Sequence, residues 1–195
     1  MQRVHIKNKE VVSSDHALLQ KVRFDLENGQ GKRMEQEREV YDHGNAVAVL
    51  LYDREREKIL LTKQFRLPTF LNGNPSGMLL EACAGIVEEG ESPEATMKRE
   101  ILEETGYEID DLEKVAEAYS SAGVLTEKLY LYTAVFSPEL KKESGGGLEE
   151  EGEDIRLVEI SFSRARDMLN SGEIMDAKTI ILLQSLLIRK IIDPV

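Results

Sequence analysis

Cysteine is nearly absent: Cys83 is the single one in 195 residues. One thiol excludes an internal disulfide framework and a zinc cluster built on cysteines. No apolar run reaches the ~18 residues of a membrane-spanning helix, so no membrane association is expected. The opening segment Met1-Gln2-Arg3-Val4-His5 lacks the apolar stretch of a signal peptide. These absences lead to the expectation of a cytoplasmic protein. Bases are in deficit as well. Lys and Arg number 25 against 37 Asp and Glu, a net charge of −12, which speaks against a nucleic-acid-binding surface. Neither an internal repeat nor a low-complexity tract is visible. What is present is an ordinary apolar fraction, 41%, enough for the core of one domain with a small extension.

The negative charge is unevenly placed. Residues 88–104 carry seven carboxylates against Lys98 and Arg99, and residues 143–154 carry six with no base. These segments hold −5 and −6, which is −11 of the −12. An acidic run is ordinarily a solvated face, so each segment needs a further feature before it is assigned chemistry.

The first 42 residues read as β-rich, with alternation at Val4-His5-Ile6 and around Val22 and Phe24 and a turn at Asn28-Gly29-Gln30-Gly31. Gly44 marks a boundary, giving an N-terminal segment 1–42 and a main domain 43–195. Residues 46–52 and 58–63 pattern as a hairpin of buried strands, and residues 68–77 as a loop. Ser92-Pro93 opens a helix as N-cap and first helical residue, and Gly106 ends it. Strands follow at 115–119, 129–136 and 155–160, then helices at 162–170 and 177–192. The last helix is apolar on several faces, so it is expected to be buried on more than one side. Mixed strands and helices with a β-rich first half indicate an α/β or α+β sandwich.

Glu100, Glu103 and Glu104 fall on one turn of the Ser92 helix, so their carboxylates converge. Like charges at this spacing destabilise a helix slightly. A wet surface tolerates that, and a hard divalent cation with oxygen ligands turns it to use. Arg99 beside them is placed to hold a carboxylate. Ala84-Gly85 ends a strand and offers a backbone carbonyl, with glycine permitting close approach.

From Gly85 the chain runs five residues to Glu91, then seven to Arg99-Glu100-Ile101-Leu102-Glu103-Glu104-Thr105-Gly106-Tyr107. This resembles the Nudix box with every signature position filled. The resemblance implies an α/β/α sandwich with a mixed sheet and an N-terminal antiparallel extension. It implies a hydrolase that cleaves nucleoside diphosphates linked to another moiety, using Mg²⁺ or Mn²⁺. Glu100, Glu104 and the Ala84 carbonyl would hold metal, Glu103 and Glu104 would be catalytic, Arg99 would orient a glutamate, and Glu91 would support the loop–helix geometry. A general base would come from a loop outside the box. The second acidic segment, with Gly145-Gly146-Gly147 beside Glu150, Glu151 and Glu153, is the candidate, Glu153 also as a metal ligand; flexible glycines there would suit a loop that closes over substrate. Its plain alternative is an acidic surface loop.

Beyond the box, Arg38–Asn45, Lys63-Gln64-Phe65-Arg66, Asn72-Gly73-Asn74, Glu81–Gly85, Leu125-Thr126-Glu127 and Glu173–Thr179 resemble the family's GDP-mannose hydrolase branch, related to the ADP-ribose pyrophosphatases. That branch implies a nucleotide-sugar substrate and a homodimer whose N-terminal β segment meets the partner. Glu37, Arg38 and Glu39 would meet the nucleotide, Arg66 a phosphate, and Glu127 and Lys178 the sugar or phosphates, with Ala84 and Gly85 at the substrate. Arg38 and Arg66 read equally as surface ion pairs, and Lys178 as the solvent-facing start of a helix. Cys83 reads as a small core residue. Two departures from the branch stand out: His16 or Ala17 occupies a place where an aromatic is expected, and the acidic loop is longer. Ala122 stands where ADP-ribose enzymes carry proline. The alternatives are a broader nucleoside-diphosphate-sugar pyrophosphatase and a non-hydrolysing nucleotide sensor, the latter usually with a degraded box.

Overall fold

The computed structural model describes residues 2–148, 150 and 152–193. The chain divides into two compact units, one formed by residues 1–45 with 118–129 and the other by 46–117 with 130–195. The first unit is a three-stranded antiparallel sheet of β1 (Arg3–Ser13), β2 (Leu18–Glu27) and β3 (Arg33–Asp42). Strands β1 and β2 slip register between Ile6 and Asn8 and between Val11 and Ser13. Residues 118–129 join this unit through a parallel bridge of Tyr41 with Leu125, in which the Tyr41 amide donates to the Val124 carbonyl and the Thr126 amide to that of Tyr41. The unit's membership therefore extends beyond the N-terminal boundary read from the sequence.

The second unit is built on β4 (Ala46–Asp53) and β5 (Lys58–Phe65). All eight residues of β4 are buried, as expected of a strand covered on both faces. Asp53 makes the hairpin turn by accepting from the Glu55 and Arg56 amides, a local Asx turn. Strands β6 (Met78–Glu81), β7 (Cys83–Ile86), β8 (Glu113–Tyr119), β9 (Lys128–Val135) and β10 (Arg156–Ser161) complete the sheet, in the order β10-β5-β4-β9-β8 with β6 on β5 and β7 on β4. Short helix α1 (Leu67–Leu71) occupies part of the segment expected to be loop. Helices α2 (Pro93–Glu100), α3 (Phe162–Ser171) and α4 (Ala177–Ile188) follow. Val47, Val49, Leu51, Cys83, Met97, Ile101, Tyr132 and Phe136 share one core cluster. Helix α4 buries Leu182, Leu183 and Leu186 but leaves Ile188 exposed and stops there, four residues short of the expected end.

One junction of this sheet positions the site. At Ala82 the chain leaves β5, which pairs with β6, and crosses to β4, which pairs with β7. The Ala82 amide falls between the two ladders and is taken by Thr179 Oγ1 at 2.7 Å. Thr179 donates in turn to Asp176 Oδ2, which also accepts the Thr179 amide as the N-cap of α4. A buried amide left without a partner is costly. Thr179→Val keeps the side-chain shape and removes this oxygen; it is expected to lower unfolding stability by about 1–3 kcal/mol in urea denaturation, and an unchanged midpoint would contradict the assignment.

Candidate active site

The sequence forms α2 for local reasons. Ser92 caps it by accepting from the Ala95 amide, Pro93 occupies the first position, and Glu94 sits in the positive first turn. At Glu100 the α-helix passes into a π-helical turn, Ile101–Thr105, closed by Gly106 in the left-handed region (φ +71°). The expected continuous α-helix is thus corrected: its last turn is wider, and Glu103 and Glu104 are swung from the arc that α-periodicity gives. The Thr105 hydroxyl donates back to the Ile101 carbonyl within this turn. Single π turns inside helices are frequent at functional sites.

Arg99 is surrounded by carboxylates. Its Nη1 lies 2.8 Å from Glu103 Oε2 and 3.1 Å from Glu100 Oε1; its Nη2 lies 3.2 Å from Glu88 Oε1 and 3.6 Å from Glu91 Oε2. Glu91 also accepts from the Thr96 hydroxyl at 2.8 Å, which ties the approach loop to α2. Glu88 was not singled out from the sequence.

Glu104 is the buried member, 1% exposed. Burial raises its pKa to about 8; the Cys83 thiol hydrogen bond acts the other way, and the charges of Glu100 and Glu153 raise it further. Among the described residues Glu104 Oε2 is fully enclosed with no hydrogen-bond partner. Ala84 and Gly85 lie opposite on β7, and a Cβ at Gly85 would run into the Glu100 carboxyl. Cys83 is buried beside Glu104, and burial, with the Glu104 charge, pushes its thiol pKa well up, opposite to an activated nucleophile.

An orphaned buried carboxylate oxygen, further carboxylates at Glu100 and Glu153, and a glycine that clears space beside Glu100 fit a hard divalent cation in their donor chemistry. Among the described residues no three Asp, Glu, His or Cys side chains converge into a ready-made cation cage. Arg99 draws Glu100 and Glu103 to itself.

The glycine-rich segment packs closely against the end of the π turn. Gly145, Gly146 and Gly147 all have positive φ and dock onto the end of the π turn. The Gly146 amide donates to the Glu104 carbonyl at 2.8 Å and the Gly147 amide to that of Glu103 at 3.2 Å. A Cβ at Gly145 would press on the Glu104 carbonyl, so glycine here serves close packing. Lys141 reinforces the seam, donating to the Thr105 and Ser144 carbonyls with its ammonium 4.7 Å from the centre of the Tyr107 ring. The docked strap places Glu153, whose Oε2 accepts the Leu148 amide at 3.1 Å. Glu150 is exposed, and Glu151 lies outside the described residues.

Glu153 lines a cavity of about 300 Å³ together with Gln64, Phe65, Arg66, Met78, Gly152 and Asp154. Arg66 is not an ordinary surface pair: its Nε donates at 2.7 Å to Glu81 Oε2, and Glu81 is 3% exposed. Lys178 is not solvent-facing. Its ammonium sits 2.7 Å from Asp176 Oδ1 and 3.4 Å from Glu81 Oε1. Burial alone would lower its pKa, but Asp176 and Glu81 outweigh that and raise it.

The remaining candidates belong to the other unit. Glu37 faces Arg23 across the β2–β3 pair and is also bridged by Lys21. The Arg38 guanidinium donates to the Glu37 carbonyl and to Gln36, and Glu39 is exposed. Arg38 also borders a cavity of about 500 Å³ lined by Val4, Ile6, Val22 and Phe24. Glu127 lies 3.5 Å from His43 Nε2. Sequence reasoning missed Glu81, Asp176 and Thr179 as members of the second unit's polar network. The available signal was Asp176 three residues before Thr179 at a helix start; Glu81 carried none.

Comparison with known proteins accounts for both units. The family described as NUDIX domain matches residues 42–176, and the GDP-mannose pyrophosphatase NudK N-terminal domain matches residues 3–41. The GDP-mannose pyrophosphatase of Pectobacterium atrosepticum is 46% identical over 186 residues, covering 95% of each chain. That of Cronobacter sakazakii is 44% identical over 188 residues, covering 96% of each. A solved structure of an ADP compounds hydrolase aligns with a TM-score of 0.69 and 21% identity, over 96% of this chain and 93% of that one. At that identity the likeness is one of fold, and the fold is the Nudix sandwich with a mixed sheet and an N-terminal antiparallel extension. Matched in this way over nearly all of its length, the chain belongs to the Nudix hydrolase family.

Proposed function

We propose that the protein hydrolyses the pyrophosphate bond of a nucleotide sugar, GDP-mannose before others, giving GMP and mannose 1-phosphate. The observation that carries this reading is the match to relatives bearing the name GDP-mannose pyrophosphatase over 95% and 96% of both chains, which includes the N-terminal segment. The intact acidic constellation supports hydrolysis over mere nucleotide sensing.

In this reading Glu100, Glu104 and the Ala84 carbonyl would hold Mg²⁺ or Mn²⁺. When bound, the cation would supply neutralisation of phosphate charge and a lowered pKa of water. Arg66 and Lys178 bind and orient the phosphates and sugar, since a guanidinium matches phosphate oxygens. Arg99 keeps Glu103 and Glu100 in place. Glu153, fixed by the Leu148 amide, takes the proton of the attacking water. The water oxygen bonds to phosphorus in line with the anhydride oxygen, which leaves on the other phosphate. Glu37, Arg38 and Glu39, on the N-terminal segment 1–42, are the candidates to meet the nucleotide, and Glu127, like Lys178, is a candidate for the sugar or phosphates. That segment also pairs two chains in a homodimer, and the enzyme works in the cytoplasm.

A panel of nucleotide sugars with Mg²⁺ tests the substrate. GDP-mannose is expected to give the highest kcat/KM; strong turnover of ADP-ribose with none of GDP-mannose would move the assignment to the alternative. Sedimentation equilibrium at micromolar concentration is expected to give twice the 22.0 kDa chain mass. A mass near that of one chain would refute the dimer.

A further inference from the structure

The buried Glu81 is used by none of the steps above, yet among the described residues it is the one group that touches both Arg66 and Lys178. It ends β6 immediately before the crossing at Ala82, three residues ahead of Ala84. An acid 3% exposed is rare unless it is paired. Here Oε2 takes Arg66 Nε at 2.7 Å, and Oε1 faces Lys178 Nζ at 3.4 Å. Lys178 is anchored by Asp176, which is itself fixed by Thr179. Two carboxylates and two cations thus form a network of zero net charge.

Its geometry has a direction. A guanidinium offers five N–H donors in a rigid fork. Glu81 engages Nε, the edge nearest the stem, and so sets the plane and heading of the group. Among the described residues the only ion pair of Arg66 is made through Nε, which leaves the two Nη nitrogens, the ends that make bidentate contacts with phosphate, for an anion at the cavity that Arg66 shares with Glu153. Lys178 acts on the opposite oxygen and compensates the buried charge, so Glu81 remains an acceptor for Arg66. A floppy arginine, by contrast, loses side-chain freedom each time a ligand binds.

We propose that Glu81 is a positioning residue for substrate binding: from inside the sheet it orients the Arg66 guanidinium toward the phosphate site, with Lys178, anchored by Asp176, compensating its charge. This rests on the reading above that Arg66 meets a phosphate.

The test is a double-mutant cycle of Glu81→Gln and Arg66→Ala on the full chain with Mg²⁺, using GDP-mannose or whichever nucleotide sugar the panel selects. Arg66→Ala is expected to raise KM by about thirtyfold, and Glu81→Gln by about tenfold with kcat changed by less than about threefold. In the Arg66→Ala background, Glu81→Gln is expected to raise KM by no more than about twofold, because nothing is left to orient. Glu81→Asp is expected to recover part of the loss. A merely structural Glu81 would give stability losses with KM unmoved, or effects that multiply independently in the double variant; either overturns the proposal. If Glu81→Gln does not fold, Glu81→Asp carries the same cycle, and failure of both to fold makes Glu81 a folding residue and also overturns it. An active wild type whose KM ignores Arg66→Ala overturns the proposal while sparing the hydrolase reading. A wild type inactive on the whole panel strikes the reading itself.

Discussion

Glu104→Gln is expected to lower kcat by about a thousandfold with Mg²⁺ present, equivalent to about 4 kcal/mol of barrier, while circular dichroism remains that of the wild type. Glu104 combines near-complete burial with an unpartnered carboxylate oxygen, a costly arrangement that a cation would resolve. Steady-state kinetics on the purified variant measures this, and turnover within tenfold of wild type would remove Glu104 from the metal site. The same substitution has an expected signature in stability. In the metal-free protein Glu104 has a folded pKa of about 8 against an ordinary 4.5, mainly through burial. A raised folded pKa means that the fold favours the protonated form. That contribution is fully present below pH 4.5 and is lost as pH rises through about 8. Glutamine imitates the neutral carboxyl at every pH. With EDTA present, Glu104→Gln is therefore expected to melt at a temperature no lower than wild type at pH 6 and higher at pH 9. A lower melting temperature at pH 9 would contradict the burial argument.

Glu153→Gln carries the second large effect. A positioned general base contributes typically 10²–10⁴-fold, and a loss of kcat of about that size is expected. Three glutamates of the acidic loop were open on sequence alone. The structure distinguishes two of them: Glu153 is held by the Leu148 amide and lines the cavity with Arg66, whereas Glu150 is exposed. Glu150→Gln is accordingly expected to cost under about tenfold in kcat, as for a group outside the reacting centre. Parallel kinetics on the two variants decides the matter, and a larger loss at Glu150 than at Glu153 would reverse the assignment.

Local patterns were the legible part of this molecule. The cap at Ser92-Pro93, the hairpin of residues 46–52 and 58–63 and the stop at Gly106 each depend on residues near in sequence, and each forms as its residue types suggest. The glutamate spacing after Gly85 is local as well, which is why the site's main acids were recognisable. Less visible was the passage from α to π geometry at Ile101, because both helix types accept the same apolar and acidic positions. The glycines at 145–147 illustrate a second limit. Composition registers their freedom from a Cβ, but only the neighbouring backbone shows whether that freedom serves motion or contact. Glu81 shows a third. Its partners lie 15 and 97 positions away, and no short-range pattern links them. The extent of α4 was overread because apolar residues continue past Ile188 after the helix has ended.

These contacts place the acidic charge of the sequence in a definite setting. Part of it surrounds Arg99, and part stands beside β7 at Glu100 and Glu104. The proposal that follows is a metal-dependent cleavage between the two phosphates of a nucleotide sugar, and the chemistry of the products tests it most directly. GDP-mannose incubated with the protein and Mg²⁺, then resolved by ion-exchange chromatography, should yield GMP and mannose 1-phosphate in equal amounts and nothing when EDTA replaces the metal. Release of GDP and free mannose, or product formation indifferent to EDTA, would contradict the account.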